Sequence, residues 1–174
     1  MASAQTYVPI ATQTLASNAS SVSFTSIPQT YTDLVLVGQA RCTRATTQST
    51  LTGYFNSDSA TTNYSYTGLD GNGSTASSNR LSGGSYQGVF AGLLAAANNT
   101  AGVFSQVLLH IMNYSNTTTY KTCIGRNGAA EIGTEAEVML WRSTAAITSI
   151  TINEILGNNL VAGSTFTLYG ILAA

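Results

Sequence analysis

The amino-acid sequence predicts an all-β fold, an antiparallel β-sandwich or barrel, from three observations. Residues suited to a pleated sheet are abundant, with 26 Thr and 20 Ser among 174 residues, whereas the helix formers Glu, Lys and Gln are scarce. Apolar and polar residues alternate with a period of two in several short segments. About ten such segments recur at intervals of roughly 12–18 residues, separated by clusters of Gly, Asn and Ser, as in sandwiches and barrels.

Four strands are predicted in the first third of the chain. Residues 7–15 form an opening segment, and Val22 and Phe24 alternate with serine and threonine. Residues 33–37 are apolar on both faces, which is typical of a central strand covered on two sides. Residues 51–55 alternate again and give the fourth strand.

The remaining strands are predicted in the second half. The longest apolar segment is 103–112, within which residues 107–112 should form a buried strand. No connection between strands is long or helical enough for a parallel crossover, so antiparallel pairing is expected. The other segments with strand character are 86–91, 117–124, 137–142, 147–153 and 165–172.

Length and composition indicate a single domain. At 44% apolar residues the chain can bury one real core, and about 100–200 residues per domain is usual. We therefore expect residues 1–174 to form one β-sandwich domain, with residues 1–15 as an N-terminal arm or edge strand.

The charge content excludes several classes of protein. Only 7% of residues are charged, against roughly 25% in an ordinary domain, and the net charge is −1. Six cations do not make the basic field that a nucleic-acid binder needs. No run approaches about 18 apolar residues, and no signal peptide is visible. The expectation is a protein that binds neither nucleic acid nor membrane, with associations insensitive to salt.

Two loops stand out. Residues 67–84 read as a long loop, which is usually functional or interfacial, and residues 95–102 as a helical turn or a plain turn. Within the first, Asp-Gly-Asn-Gly-Ser at 70–74 begins like a calcium loop. However, Thr75 and Leu81 stand where an EF-hand requires Gly and Glu, so a tight turn is predicted.

His110, the one histidine, lies between Leu109 and Ile111 in an apolar segment. Alternation places it on the opposite face from these neighbours. Because no GxSxG motif accompanies it, a partly buried structural imidazole is predicted rather than a catalytic triad member or a protonation switch.

Three carboxylates, Glu131, Glu135 and Glu137, raise the alternative of a glycosidase pair. Glu135 and Glu137 would share a strand face about 7 Å apart. A sugar-cleaving site also needs aromatic platforms, and Trp141 is the sole tryptophan. Solvated charges at a strand entrance, or ion pairs with Arg126 and Arg142 across subunits, are therefore expected.

Arg41 and Arg44 form the densest basic spot, and two readings stay open: subunit-interface residues or a solvated turn. The cysteines, Cys42 and Cys123, have no CxxC neighbour and no clustered histidine. We expect free thiols, and sequence alone cannot show whether their geometry allows pairing.

Nine tyrosines suit a subunit interface, a glycan-binding face or ordinary strand surfaces. Six of them are expected near strand ends or loops: Tyr54, Tyr64, Tyr66, Tyr86, Tyr114 and Tyr120.

Several segments resemble virion structural proteins of tailed bacteriophages. They are Tyr-Val-Pro-Ile-Ala-Thr at 7–12, the stretch 27–37, the internal stretch 65–74 and the ending Gly-Ser-Thr-Phe-Thr-Leu-Tyr-Gly-Ile at 163–171. The resemblance covers the first 40 and the last 30 residues, and its motifs are of scaffold type. It implies a jelly-roll-like sandwich of about 8–10 strands. It brings no defined active site with it.

The resemblance implies a capsid decoration (cement) protein, located in the virion after assembly in the bacterial cytoplasm. The alternative is a tail-associated structural or receptor-binding protein, whose 67–84 loop, with Tyr64 and Tyr66, would contact a glycan. A homo-oligomer, favoured as a trimer, is expected to bind the major capsid protein or tail proteins. Residues 7–15 would add to a neighbour's sheet edge. No enzymatic activity, catalytic residue, cofactor or metal is predicted.

Overall fold

In the computed structural model, which describes residues 6–83, 88 and 92–172, two antiparallel sheets pack together as a β-sandwich. The predicted fold class is confirmed. Within the described ranges the strands are β1 (Tyr7–Thr14), β2 (Ser21–Phe24), β3 (Asp33–Ala40), β4 (Gln48–Phe55), β5 (Tyr64–Gly71), β6 (Ala76–Ser82), β7 (Gly92–Ala95), β8 (Ser105–Ile111), β9 (Lys121–Ala129), β10 (Gly133–Trp141), β11 (Ile150–Glu154) and β12 (Thr165–Ile171). A single 3-10 turn, Thr61–Asn63, precedes β5.

The two sheets are unequal in size. The large sheet has eight strands in the order β1-β12-β3-β8-β9-β10-β5-β6, and the small sheet has four in the order β2-β11-β4-β7. The central strands of the large sheet, β3 and β8, pair in a register that sets Leu36 opposite Leu109. Both side chains are fully buried, so the middle of the large sheet faces the core.

The core lies between the sheets and is built from alternate residues of each strand. Phe55 of β4 and Trp141 of β10 meet edge to face across it, with ring centroids 5.5 Å apart. Gly125 of β9 leaves room for the end of the Met139 side chain in the same core, since a Cβ there would lie 2.8 Å from the Met139 Cε. The face of the large sheet that points away from the small sheet is called the outer face below.

Most predicted strands are found, with altered ends. Residues 33–37 lie in β3, and residues 107–111 lie in β8. The prediction that 33–37 is covered on both faces is wrong, because Val37 is 40% exposed on the outer face, and β8 is fully buried only on its inner face. The strand predicted at 117–124 begins only at Lys121, because the Asn116 side chain accepts the amides of Thr118 and Thr119 and holds them in a turn. The strand predicted at 137–142 begins earlier, at Gly133.

The prediction of a long loop at residues 67–84 is wrong. Residues Tyr64–Gly71 and Ala76–Ser82 instead pair as a hairpin, with Leu69 opposite Ser78. Only residues 72–75 form its turn. β6 was not predicted because its residues, Ala-Ser-Ser-Asn-Arg-Leu-Ser, show no apolar alternation and are exposed on both faces of the strand.

One strand was not predicted: β7, Gly92–Ala95, lies at the edge of the small sheet, and its last residue is the first of the predicted 95–102 loop. The rest of that loop consists of plain turns, which was one of the two predicted alternatives. The strand predicted at 86–91 lies outside the described residues, apart from Gly88, which is not in a strand.

The opening strand is an edge strand of its own molecule. β1 pairs with β12 along its length, with a register irregularity between Pro9 and Ala11. Proline and a bulge both blunt an exposed edge, which makes β1 a poor template for strand addition. No helix in the described residues is long and apolar enough to span a membrane.

Candidate functional site

A groove of about 890 Å³ crosses one end of the large sheet. Its floor is made by Val37 of β3, Gln106 and Leu108 of β8, and Arg126 of β9. The strand register explains the grouping, because Leu108 lies opposite both Val37 and Arg126. These side chains alternate with buried neighbours such as Leu109, so they belong to the outer face.

One wall of the groove is the loop before β8, including Gly102, Val103 and Phe104. The buried Arg41 side chain holds this loop in place. Its guanidinium donates to the carbonyl oxygens of Thr100 at 2.7 Å, Val103 at 2.9 Å, Asn99 at 2.9 Å and Ala97 at 3.2 Å. The solvated-turn reading of Arg41 is wrong, since its side chain is buried and its guanidinium is engaged within the chain, and the subunit-contact reading stays a prediction. Arg44, half-buried, donates to Ser49.

The opposite wall is made by two hairpin turns. The β9–β10 turn contributes Ala130 and Glu131, and the β5–β6 turn contributes Gly71 and Gly73. In the second turn, Asn72 Oδ1 accepts the amides of Ser74 and Thr75 while Gly73 adopts a φ of 86°. The prediction of a tight turn at residues 70–74 is confirmed.

Two charged residues line the groove without a partner among the described residues. The structure shows no hydrogen bond or ion pair for the guanidinium of Arg126 or the carboxylate of Glu131 within the described ranges, and both residues are exposed. The exposure of Glu131 agrees with the expected solvated carboxylate. Both charges are therefore available to a ligand in the groove.

Beyond the groove, the outer face is unusually apolar. Of eight large hydrophobic residues exposed in the described structure, five lie on this face. Ile124 on β9 and Val138 on β10 are opposite each other. Leu69 on β5 is opposite Ala136 of β10, which lies two residues before Val138 and on the same face. The five are Tyr7, Val37, Leu69, Ile124 and Val138.

The prediction that Glu135 and Glu137 are solvated is wrong, although they do share a face. That face is the inner one, and Glu137 is 4% exposed. Glu135 Oε2 accepts the amide of Leu93 at 2.7 Å, which ties β10 to β7 of the small sheet. Burial, with Coulomb repulsion from Glu137 and Asp70, raises the pKa of Glu135 to about 8.

Arg142, which the sequence paired with these glutamates across subunits, forms hydrogen bonds within its own chain. Arg142 donates to the Thr62 carbonyl oxygen and to the hydroxyls of Ser65 and Ser82, each at 3.2 Å. The expected pairing of Arg142 with these glutamates across subunits does not fit, because Glu135 and Glu137 face the interior.

His110 has the structural setting that the sequence predicted. Its Nε2 lies 2.9 Å from Asp33 Oδ2, and the other oxygen of Asp33 accepts the amide of Asn113. Among the residues that the structure describes, no Ser or Cys side chain is hydrogen-bonded to the ring. The pair joins β8 to the start of β3 and offers no nucleophile.

The thiols of Cys42 and Cys123 are free and fully buried. Burial raises the pKa of both thiols, so neither is a reactive thiolate. The prediction of free cysteines is confirmed for both residues.

The tyrosines predicted near strand ends or loops differ in how far they are buried. Tyr64 and Tyr114 are buried in the core, with the Tyr64 hydroxyl donating to the Asp58 carbonyl oxygen at 2.8 Å. Tyr54 and Tyr66 are half-buried against the core, Tyr120 is exposed, and Tyr86 lies outside the described residues. Tyr64 cannot stack on a glycan from its buried position.

The described residues contain no group of three or more His, Cys, Asp or Glu that could hold a metal ion. The chain matches no protein-family model and has no significant sequence match among curated proteins. The groove was not predicted from the sequence, because its lining comes from four segments of the chain that are far apart in sequence, between Val37 and Thr134. Its only sequence signal is the alternation that sets Arg126 on the same face as Ile124.

Proposed function

We propose that this chain is a non-enzymatic structural protein of a tailed-phage virion, a capsid decoration (cement) protein that binds the shell as an oligomer. The observation that carries this proposal is the outer face of the large sheet, which holds five of the eight large hydrophobic residues exposed in the described structure. Ile124 and Val138 are directly opposite each other there, and Leu69 lies on the neighbouring strand β5. Clustered exposed apolar side chains of this kind mark a place where another macromolecule binds.

The size of the face fits a protein partner. Eight strands about 4.8 Å apart and about 20 Å long give a surface of roughly 700–800 Å². A stable protein–protein interface buries about 800 Å² on each partner. The outer face alone is therefore large enough for a specific contact.

The chemistry of the face also suits a packed shell. Threonine and serine hydroxyls occupy much of the rest of the surface, as in the exposed Thr12–Thr167 and Ser23–Thr151 pairs. Such groups keep a sheet soluble without the like-charge repulsion that would separate neighbouring copies. The resemblance of residues 7–12, 27–37 and 163–171 to phage virion proteins points to the same setting.

The alternative of a tail component is separated from a shell protein by copy number. Quantitative mass spectrometry of purified virions, using peptides that contain Tyr31, should give hundreds of copies per particle. A few dozen copies or fewer would assign the chain to the tail, and absence from virions would contradict both assignments. The glycan-binding form of the alternative loses its proposed loop, since residues 67–82 lie within the β5–β6 hairpin.

The oligomer is a separate part of the proposal. Threefold positions on an icosahedral shell favour a trimer. Native mass spectrometry at micromolar concentration should show three chains in one complex, and a spectrum containing monomer alone would contradict the trimer.

A further inference from the structure

We infer that the groove binds an extended peptide segment of a partner protein, with a carboxylate of that segment on Arg126 and aliphatic side chains over Val37 and Leu108. This inference deepens the proposed function. It rests on that function only in requiring a protein partner.

The shape of the groove fits an extended chain. Its floor crosses three adjacent strands, β3, β8 and β9, and is therefore about 10 Å wide. Its rim is open where glycines lie, because a Cβ at Gly73 or Gly102 would meet nothing within 4 Å. A peptide backbone can approach closely at such positions.

The walls are fixed before any ligand arrives. Four carbonyl oxygens of the 97–103 loop accept hydrogen bonds from Arg41, and Asn72 closes the opposite turn. A site that is already ordered loses less conformational entropy on binding. Weak side-chain contacts in the groove can then contribute to affinity.

The charges select the kind of peptide. The Arg126 guanidinium has no partner within the described residues, and arginine binds carboxylates through two parallel hydrogen bonds. Glu131 on the rim repels a second acidic group. The favoured segment therefore carries one carboxylate among aliphatic and neutral or basic residues.

Other ligand classes fit the lining less well. Binding of nucleic acid requires several cations along the backbone path, and Arg126 is the one cation among the described residues that line the groove. Stacking of bases or sugar rings needs aromatic faces, and within the same described lining Phe104 is the one aromatic residue.

The test uses the full-length 15N-labelled protein and three synthetic peptides, each amidated and acetylated. Each is a nonapeptide of alternating Val and Thr with two Lys residues for solubility, and the central residue is Asp, Asn or Lys. Chemical-shift changes locate the binding site, and their concentration dependence gives the affinity. Arg126→Gln is compared with Arg80→Gln, an exposed arginine on the same face that does not line the groove.

The expected result is a set of shift changes at Gly102, Leu108 and Arg126, with the Asp peptide bound about tenfold more tightly than the Asn peptide. Arg126→Gln should abolish this preference, and Arg80→Gln should retain it. Absence of shifts at millimolar peptide, or equal affinity for the three peptides, would overturn the inference. So would groove shifts caused instead by a 20-nucleotide single-stranded DNA or by a maltooligosaccharide.

The outcome is independent of particle location. Selective peptide binding by a protein absent from virions would leave the groove assignment standing and remove the virion role. A protein that is present in hundreds of copies per virion but shows no peptide selectivity would keep the virion role and remove the groove assignment.

Discussion

The two faces of the large sheet differ in where their charged side chains lie, and the difference is clear where β9 and β10 pair. On the inner face, Glu135 and Glu137 are withdrawn from solvent, and the raised pKa of Glu135 keeps its carboxyl group largely protonated at neutral pH. On the outer face, Arg126 is exposed and has no partner among the described residues. Ala136, which lies between the two glutamates along β10, is opposite Arg126.

This difference shows why the overall net charge of −1 is a poor guide to binding. Glu135 and Glu137 face inward, and the Glu135 carboxyl group joins the two sheets through the Leu93 amide. By contrast, three arginines lie on or beside the outer face: Arg80, Arg126 and Arg142. The sequence predicted associations insensitive to salt. The arrangement of charges instead predicts that contacts through Arg126 weaken as ionic strength rises.

The largest expected effect separates two adjacent leucines of β8. Leu109 is fully buried on the inner face, whereas Leu108 lines the groove on the outer face. Leu109→Ala should lower the free energy of unfolding by about 2–5 kcal/mol because it leaves a cavity in the core. Leu108→Ala should cost less than about 1.5 kcal/mol. Urea denaturation followed by tryptophan fluorescence measures both, and equal losses would contradict the assignment of the faces.

A second comparison uses two arginines. Arg41→Gln should lower the free energy of unfolding by about 1–3 kcal/mol, since it removes hydrogen bonds to four partly buried carbonyl oxygens of the 97–103 loop. Arg126→Gln should change it by less than about 0.5 kcal/mol, since its side chain is exposed. Faster amide hydrogen exchange at Gly102 and Phe104 in Arg41→Gln alone would locate the loss in the groove wall. Unchanged exchange there would contradict the bracing role of Arg41.

The third comparison concerns pH. The pKa of Glu135 rises from an ordinary 4.5 to about 8 in the folded protein, mainly because of burial. Between these values the unfolded chain has lost the proton that the folded protein keeps, so stability falls as pH rises and levels off above about 8. Melting temperatures measured from pH 5 to pH 9 should therefore decline in the wild type and decline less in Glu135→Gln. Identical profiles for the two proteins would contradict this role.

Several features of the fold were predictable because they depend on local pattern. The apolar runs at residues 34–37 and 107–109 predicted two central strands, but they did not predict which faces are covered, since Val37 and Leu108 lie on the open outer face. β6 was missed because its residues are polar on both faces, and β7 because four residues carry little periodicity. The buried position of Glu137 did have a signal, since Glu137, Met139 and Trp141 alternate, but the carboxylate was given more weight than the period.

The candidate site was less predictable. Arg41 can be buried because four backbone carbonyl oxygens of the distant 97–103 loop accept its hydrogen bonds. Every residue has a backbone carbonyl, so the sequence does not indicate which of them will meet an arginine. The groove depends on the order of strands, which brings β3 beside β8 and β9. Strand order follows from long-range packing rather than from local alternation.

The most direct test of binding through the outer face uses two leucines of nearly equal exposure. Leu69 on the outer face is 65% exposed, and Leu156 in the turn after β11 is 63% exposed. The measurement is the affinity of Leu69→Lys and Leu156→Lys for phage particles assembled without this protein. The account predicts at least a tenfold loss for Leu69→Lys, because a lysine there would be buried without a partner, and no change for Leu156→Lys. Wild-type affinity in Leu69→Lys, or equal losses in both variants, would contradict docking through the outer face.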